Sequence, residues 1–546
     1  MLLYNNFANE TLSPDGSLTD ITFNIPRNFN FGYDCVDALA GKIPDKRAML
    51  WISENGEEKS FTFSDISRES NRVANCLLAL GIKKGDRVMV VLKRHYQFWF
   101  TIVALHKIGA IVIPATFMLT THDYEYRFKA AGVSAIIATD ESGVPGFVEE
   151  AEKTYADPLL KITVHKDRNG WVNLDKVYAD YSDVLPRIAT DRDDIMLMYF
   201  TSGTSGYPKI AAHDYTYPLG HIVTARYWQN VDPDGLHLTI SDTGWGKAVW
   251  GKLYGQWLCE ACIFVYDFEK FHADDILTKI QNYKITTFCA PPTMYRFFIQ
   301  EDISKYDLSS LKYATIAGEA LNPEVFNKFK EATGISLMEG FGQTETTVTI
   351  ANLKGMTPKP GSMGKPTPQY DVVLIDGDGK PAKTGAVGEI CLRTDKGKPI
   401  GMFREYYNDK THTDEAWHDG LYHTGDMAWM DEDGYCVFVG RTDDLIKSSG
   451  YRIGPFEIES CLMEHPAVTE CAITAVPDPI RGQAVKATIK LSKGYIPSPE
   501  LIKELQDYVK HHTAPYKYPR IVEFVDELPK TISGKIRRVQ IREEDK

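Results

Sequence analysis

The chain has 546 residues, 43% of them hydrophobic and 25% charged, and 61 basic against 74 acidic side chains give a net charge of −13. That length predicts two or more domains, and the acidic balance excludes a general affinity for nucleic acid or anionic membranes while leaving room for a local anion site. No apolar run approaches the roughly 20 residues that span a bilayer, the opening MLLYNNFANETLSPDG lacks the pattern of a signal peptide, and nine scattered cysteines predict a reduced, cytoplasmic setting.

Residues 88–138 alternate between strand and helix patterns. VMVVL (88–92), AIVIPA (110–115) and SAIIATD (134–140) are short apolar runs of the kind buried on both faces of a sheet. Between them, YQFWFTIVALHKIG (96–109) and HDYEYRFKAAG (122–132) have helical length and a glycine stop. This alternation predicts a parallel, doubly wound sheet. A further apolar run, IMLMYF (195–200), leads into the polar loop TSGTSGYPK. The Cys-x-x-Cys pair Cys259 and Cys262, in WLCEACIFVY, has no second ligand pair and no helix start, so it reads as buried strand cysteines.

The α/β pattern returns near 285–340. ITTFCAPP and YATIAG read as strands, followed by a helix capped by Asn322, opened by Pro323 and stopped by Gly334. Residues 362–440 are β-rich, with YDVVLIDGDGKP, GEICLR and AWMDEDGYCVFVG broken by Asp-Gly turns. A small α+β segment follows, with helices over 455–465 and 498–512. The predicted fold is α/β: a large N-terminal domain (1–440) of two doubly wound sheets plus a β-rich subdomain, a hinge at 441–446, and a small mobile α+β domain (447–546).

The stretch YFTSGTSGYPK (199–209) carries the first chemical signal. Glycines let successive backbone N–H groups converge on an anion. Thr201, Ser202, Thr204 and Ser205 add hydroxyls around Gly203 and Gly206, and Lys209 adds a positive charge. The P-loop pattern is not met, because Tyr207 and Pro208 separate Gly206 from Lys209. A Gly/Ser linker has the same composition, but a loop continuous with a buried strand belongs inside a domain.

This loop resembles the phosphate loop of the adenylate-forming enzymes, which include acyl-CoA synthetases, luciferases and peptide-synthetase adenylation domains. Four more stretches match in the family's order: AGEAL (317–321), GFGQTET (340–346), YHTGDMAWMDEDGYCVFVGRTDDLIKSSGYRIGPFEIE (422–459) and PKTISGKIRR (529–538). The resemblance implies that Gly318, Glu319, Ala320, Glu339, Gly340, Phe341, Gly342 and Gln343 frame the nucleotide, and that Asp426 and Arg441 hold the ribose. Thr344 can donate to a phosphate oxygen, and the carboxylate of Glu345 can hold Mg²⁺. Taken singly, Asp426 reads as a turn residue and Lys535 as part of a solvated basic tail with Arg537, Arg538 and Arg542; the match makes Lys535 the catalytic cation.

The resemblance further implies two reactions at one site. A carboxylate displaces pyrophosphate from ATP to give acyl-AMP, and a thiol then displaces AMP. The family passes between them by rotating the small domain about a hinge, whose position here is Asp443. The thiol expected is coenzyme A, since SSGYRIGPFEIE resembles the acyl-CoA synthetases and especially the medium-chain group. Ser449, Gly450 and Tyr451 match the pantetheine entry, Arg481 the CoA nucleotide contact, and Arg452 a contact to phosphate or adenylate. Gly342 stands where acetate-specific relatives carry a tryptophan, which leaves room for longer acids. Trp245, Lys247 and Trp250 flank the same pocket, and Lys247 replaces an apolar residue of medium-chain relatives, which argues against a long straight tunnel. The substrate expected is a short- to medium-chain carboxylic acid, straight or branched.

The alternative within the family is a stand-alone adenylation enzyme that loads a separate carrier protein, since the eleven residues after Lys535 hold no fused one. Rivals outside that reading are a luciferase-like oxidase, a kinase forming acyl phosphate and an idle nucleotide-binding protein; intact Thr344, Glu345, Asp426, Arg441 and Lys535 oppose the last. A protein acetyltransferase and deacetylase acting on Lys535 are the protein partners the family suggests; acetylation would remove the charge adenylation needs.

Overall fold

Helices and strands form where the sequence punctuates them. In a computed structural model that describes residues 1–201, 208–448, 451–531 and 535–545, and not the side chain of Arg452, the first doubly wound segment is strand Arg87–Val91, helix Gln97–Ile108, strand Ile111–Pro114, helix Thr121–Ala131 and strand Ala135–Ala138. Gly109 and Gly132 end the two helices at φ +79° and +62°, a left-handed conformation that costs glycine no Cβ clash. Helix Gln97–Ile108 is buried along its whole length, so it lacks an amphipathic stripe and lies in the core.

Those strands belong to an eight-stranded sheet ordered 405–406, 209–214, 195–201, 111–114, 87–91, 135–138, 160–163 and 172–173. Its interior pairs are parallel, while Lys209–Asp214 runs antiparallel to Ile195–Thr201. The second sheet has nine strands, with a parallel centre formed by 337–342, 313–316, 287–290, 236–239, 262–267 and 47–53. Its predicted helix Pro323–Thr333 has Asn322 accepting from Glu324 N–H and Gly334 at φ +74°. The β-rich section is a five-stranded antiparallel sheet containing Gly388–Arg393, Leu421–Met430 and Cys436–Arg441.

The C-terminal segment has its own sheet and core. The hairpin Val468–Asp478/Gly482–Leu491 packs helices Pro455–Met463 and Pro499–His512 around Ile458, Leu462, Ile473, Leu505 and Val509. It touches the larger body through Asn322 Nδ2, which donates to Ser460 O at 3.3 Å, and through the Phe438 and Phe456 rings. Cys259 and Cys262 are buried as expected, but only Cys262 lies in a strand; Cys259 closes the short helix Tyr254–Leu258. No helix among the described residues is long and apolar enough to cross a membrane.

Candidate active site

The site lies where the two large sheets and the β-rich sheet meet. Strand Leu337–Gly342 ends in the Gln343–Thr346 turn, which carries the phosphate and cation candidates. His213 holds this turn by donating from Nε2 to Thr344 O at 2.9 Å. Burial pushes the His213 pKa down to about 3, so the ring is neutral and this bond fixes its tautomer. Glu345 is half-buried and accepts from the Tyr406 hydroxyl at 2.8 Å. Burial raises its pKa against the opposing effects of that hydroxyl, Arg441 and Lys209. Lys209 begins its strand opposite Thr201 and places its ammonium 4.9 Å from the centre of the Tyr406 ring. Ser202, Gly203, Thr204, Ser205 and Gly206, the remaining loop candidates, lie outside the described residues, as do Ser449, Gly450 and the side chain of Arg452.

Antiparallel register brings the ribose candidates together. Asp426 on Leu421–Met430 is paired across the ladder with Arg441 on Cys436–Arg441, and their charged atoms lie 3.5 Å apart. Gln343 joins them by donating to Asp426 Oδ2 at 2.5 Å and to Thr424 O at 2.8 Å, while the Tyr422 hydroxyl donates back to Gln343 Oε1 at 2.8 Å. Burial raises the Asp426 pKa to about 6, although Arg441, Gln343 and Lys535 all pull it down. Gly425, at φ +70°, precedes it; a Cβ there would sit 2.9 Å from Arg441 Nη2, so the turn needs glycine.

The adenine candidates follow strand Tyr313–Ile316. Gly318 is exposed, Glu319 is ion-paired to Arg296 at 3.6 Å, and Ala320 is half-buried. Glu339 lies in register with Ile316, and its carboxyl accepts from Leu321 N–H at 3.2 Å. Burial raises the Glu339 pKa to about 8, so the group is neutral at pH 7. Gly340 backs onto the Trp228 indole, and the half-buried Phe341 lies 6.5 Å from Phe438, ring centre to ring centre.

At Gly342 the structure supplies a reason for glycine that the pocket argument lacked. A Cβ there would lie 2.3 Å from the Thr347 carbonyl oxygen, at a bulge in the pairing of 337–342 with 348–351. Trp245 precedes helix Gly246–Lys252, and Trp250 packs against Trp228 with ring centres 5.6 Å apart. Lys247 donates to Ala317 O at 2.6 Å and lies 5.7 Å from the Trp250 ring centre. Burial, together with the charge of Lys535, lowers its pKa.

Lys535, in the C-terminal segment, is the candidate cation for this site. Its side chain is exposed. Lys535 N–H donates to Thr531 Oγ1 at 3.1 Å, and Thr531 N–H donates to Lys535 O at 2.7 Å. Arg481 and Tyr451 come together at one end of the small sheet, because Ser448 pairs with both Tyr451 and Gly482. Tyr451 stacks on Tyr516 at 4.0 Å, and Arg481 is ion-paired to Asp478 at 3.6 Å. Asp443 is ion-paired to Arg441 at 3.6 Å. Sequence reasoning missed Tyr406 and Tyr422. Both stand in strand-like stretches, where an aromatic residue reads as packing until register turns its hydroxyl toward the site.

The AMP-binding enzyme family matches residues 36–407, and the AMP-binding enzyme C-terminal domain matches residues 457–535. The chain is 41% identical over 552 residues to the human acyl-coenzyme A synthetase ACSM3, mitochondrial, covering 99% of this chain and 93% of that one. It is 42% identical over 532 residues to the human acyl-coenzyme A synthetase ACSM4, mitochondrial, covering 95% and 91%. Among solved structures, the anthranilate CoA ligase AuaEII in complex with anthranoyl-AMP superimposes with a TM-score of 0.86 at 29% identity, covering 95% of this chain and 98% of that one.

Proposed function

The chain belongs to the AMP-binding enzyme family, and from that premise we propose that it is an AMP-forming acid–thiol ligase, joining a carboxylic acid to coenzyme A at the expense of ATP. The observation that carries this reading is the meeting of two motifs at one place: Gln343, next to Thr344 and Glu345, donates to Asp426 at 2.5 Å, and Asp426 is paired across the ladder with Arg441 at 3.5 Å. We assign Lys535 of the C-terminal segment to this cluster as its mobile cation.

In the first step a substrate carboxylate oxygen attacks the α-phosphorus, the bond to pyrophosphate breaks, and acyl-AMP forms. Lys535 and Thr344 stabilise the charge that builds on the α-phosphate, and the 201–209 loop with Lys209 holds the β- and γ-phosphates. Asp426 accepts from the ribose hydroxyls while Arg441 and Gln343 orient it. The donor set at Glu345, a carboxylate aligned by Tyr406 beside the Thr344 hydroxyl, fits a magnesium ion, which would neutralise phosphate charge when bound. In the second step the CoA thiol attacks the acyl carbon and AMP leaves. Lys535 must then withdraw, and we assign that motion to rotation of 447–546 about 441–446, with Ser449, Gly450, Tyr451, Arg452 and Arg481 lining the path of CoA.

We read the acid as short- to medium-chain, straight or branched. The ammonium of Lys247 and the paired Trp228 and Trp250 rings support a pocket that is walled rather than tubular. Nine free, buried cysteines support a reducing compartment, which we read as the cytoplasm. The exposed ammonium of Lys535 is a reachable target for reversible acetylation.

The test is a carboxylic-acid panel with ATP, Mg²⁺ and CoA, in which pyrophosphate and thioester are read separately. Release of AMP and pyrophosphate with CoA thioester, best on four- to eight-carbon acids, is the expected result. ADP as product, or pyrophosphate without any CoA thioester, would overturn the activity. Best turnover on acetate or palmitate would overturn the substrate assignment alone.

A further inference from the structure

Strand geometry gathers three metal-ligand side chains on the outer five-stranded sheet, behind the ribose pair. Glu389 and Cys391 are two residues apart on Gly388–Arg393, so they project from the same face. The antiparallel register sets His423, on Leu421–Met430, directly opposite Cys391. His423 Nδ1 lies 3.0 Å from Glu389 Oε2 and 3.5 Å from Cys391 Sγ. All three ligand atoms fall within 4.8 Å of one another.

Those separations are close to the edges of a coordination tetrahedron. Bonds of about 2.0–2.3 Å from zinc to oxygen, nitrogen and sulfur imply ligand-to-ligand edges of roughly 3.3–3.6 Å. We infer that Glu389, Cys391 and His423 form a binding site for a thiophilic divalent ion of the zinc class, held by carboxylate, thiolate and imidazole with one position left for water. A thiolate and an imidazole select zinc or cobalt over magnesium, which demands oxygen ligands in octahedral array.

The surroundings suit such an ion. Cys391 is fully buried and forms the floor, whereas the side chains of His423 and Glu389 keep 16% and 22% of their exposure and give the ion a way in. Glu389 Oε1 accepts from Gly425 N–H at 2.8 Å, which orients the carboxylate and leaves Oε2 to the metal. The His418 ring stacks on His423 at 3.9 Å and fixes its plane. Among the described residues His423 Nε2 has no hydrogen-bond partner, so it can take the proton that Nδ1 gives up. The thiol proton passes to solvent as the sulfur–metal bond forms.

A second group, His95, Glu141 and His165, also brings its ligand atoms within 4.8 Å but is already committed. Lys93 Nζ is ion-paired to Glu141 at 2.6 Å, and His95 is hydrogen-bonded through Nδ1 to Asp267 at 2.7 Å and through Nε2 to Thr139 at 2.9 Å. The Glu141 carboxylate already pairs with an ammonium, and both ring nitrogens of His95 are already bonded.

The experiment is titration of the reduced, chelator-treated full-length protein with Co²⁺, without nucleotide, followed by absorption. One equivalent should bind with thiolate-to-cobalt charge transfer in the near ultraviolet and the visible bands of a tetrahedral ion, and Zn²⁺ should bleach both. Cys391→Ser should abolish the charge transfer, and His423→Gln should weaken binding by ~10-fold or more. If Cys391→Ser does not fold, His423→Gln places the same demand on the affinity. Absence of a thiolate band in the wild type, or a band and affinity unchanged in the variants, would overturn the assignment.

Discussion

Asp443 and Asp444 are consecutive, yet they are ion-paired to opposite sides of the segment that joins the two bodies. Asp443 faces Arg441 of the ribose pair at 3.6 Å, whereas Asp444 holds Arg542 of the last helix at 2.5 Å and lies 3.8 Å from Arg538. The backbone turns between them, with Thr442 N–H still bonded to Gly425 O at 2.9 Å. A rotation that keeps both ion pairs must therefore be absorbed within this turn. Asp443→Pro fixes φ and resists that change. It should leave ATP–pyrophosphate exchange near wild type and slow thioester formation by about tenfold or more, a barrier increase of about 1.4 kcal/mol. Single-turnover assays of each half-reaction check it, and equal loss in both would count against a hinge at this residue.

Lys535→Gln keeps the length of the side chain but removes its charge. Adenylate formation should fall by roughly 10²–10³, the range for losing one pre-positioned electrostatic contact to a developing anion. Thioester formation from supplied acyl-AMP should change far less, because the proposed mechanism gives Lys535 no part in that step. A comparable drop in both reactions would place the lysine in structure rather than in chemistry.

Much of the fold was legible in the sequence because its punctuation is local, and the candidate site residues could be named because they sit in short motifs. The helix stops at Gly109, Gly132 and Gly334 and the cap at Asn322 follow from local backbone chemistry, and each falls where expected. What could not be read is set by register between strands far apart in the chain. The Tyr406 contact to Glu345 depends on a two-residue strand added to the edge of a different sheet. The same holds at Gly342, where the clash that excludes a side chain comes from the Thr347 carbonyl across a bulge.

The ribose pair should give nucleotide binding an acid limit. Asp426 must be ionised to accept from both ribose hydroxyls, and its carboxyl titrates at about 6. The KM for ATP should therefore rise as pH falls through about 6, approaching tenfold per pH unit below it, as for a single titrating group. The stability of the free protein runs the other way. A carboxyl raised from 3.8 to about 6 favours folding below 3.8, and that contribution is lost as pH rises through 6. Asp426→Asn should raise the KM at pH 7.5 and remove the acid limb. A KM profile that keeps its limb in this variant would assign the titration to another group.

Glu339 offers a test of stability that is separate from catalysis. The residue is 5% exposed, its carboxyl accepts from Leu321 N–H, and burial lifts that carboxyl from 4.5 to about 8. Because the folded pKa lies above the unfolded one, the neutral acid is the form that folding favours. Its contribution is complete below pH 4.5 and is lost as pH rises toward 8, at up to about 1.4 kcal/mol per pH unit, and the loss levels off above that. Glu339→Gln keeps the shape and the acceptor for Leu321 N–H but cannot ionise. Urea unfolding at pH 6 and pH 8.5 should show the variant gaining several kcal/mol on the wild type between the two conditions. Parallel changes in the two proteins would mean that the carboxylate finds a compensating partner when it ionises.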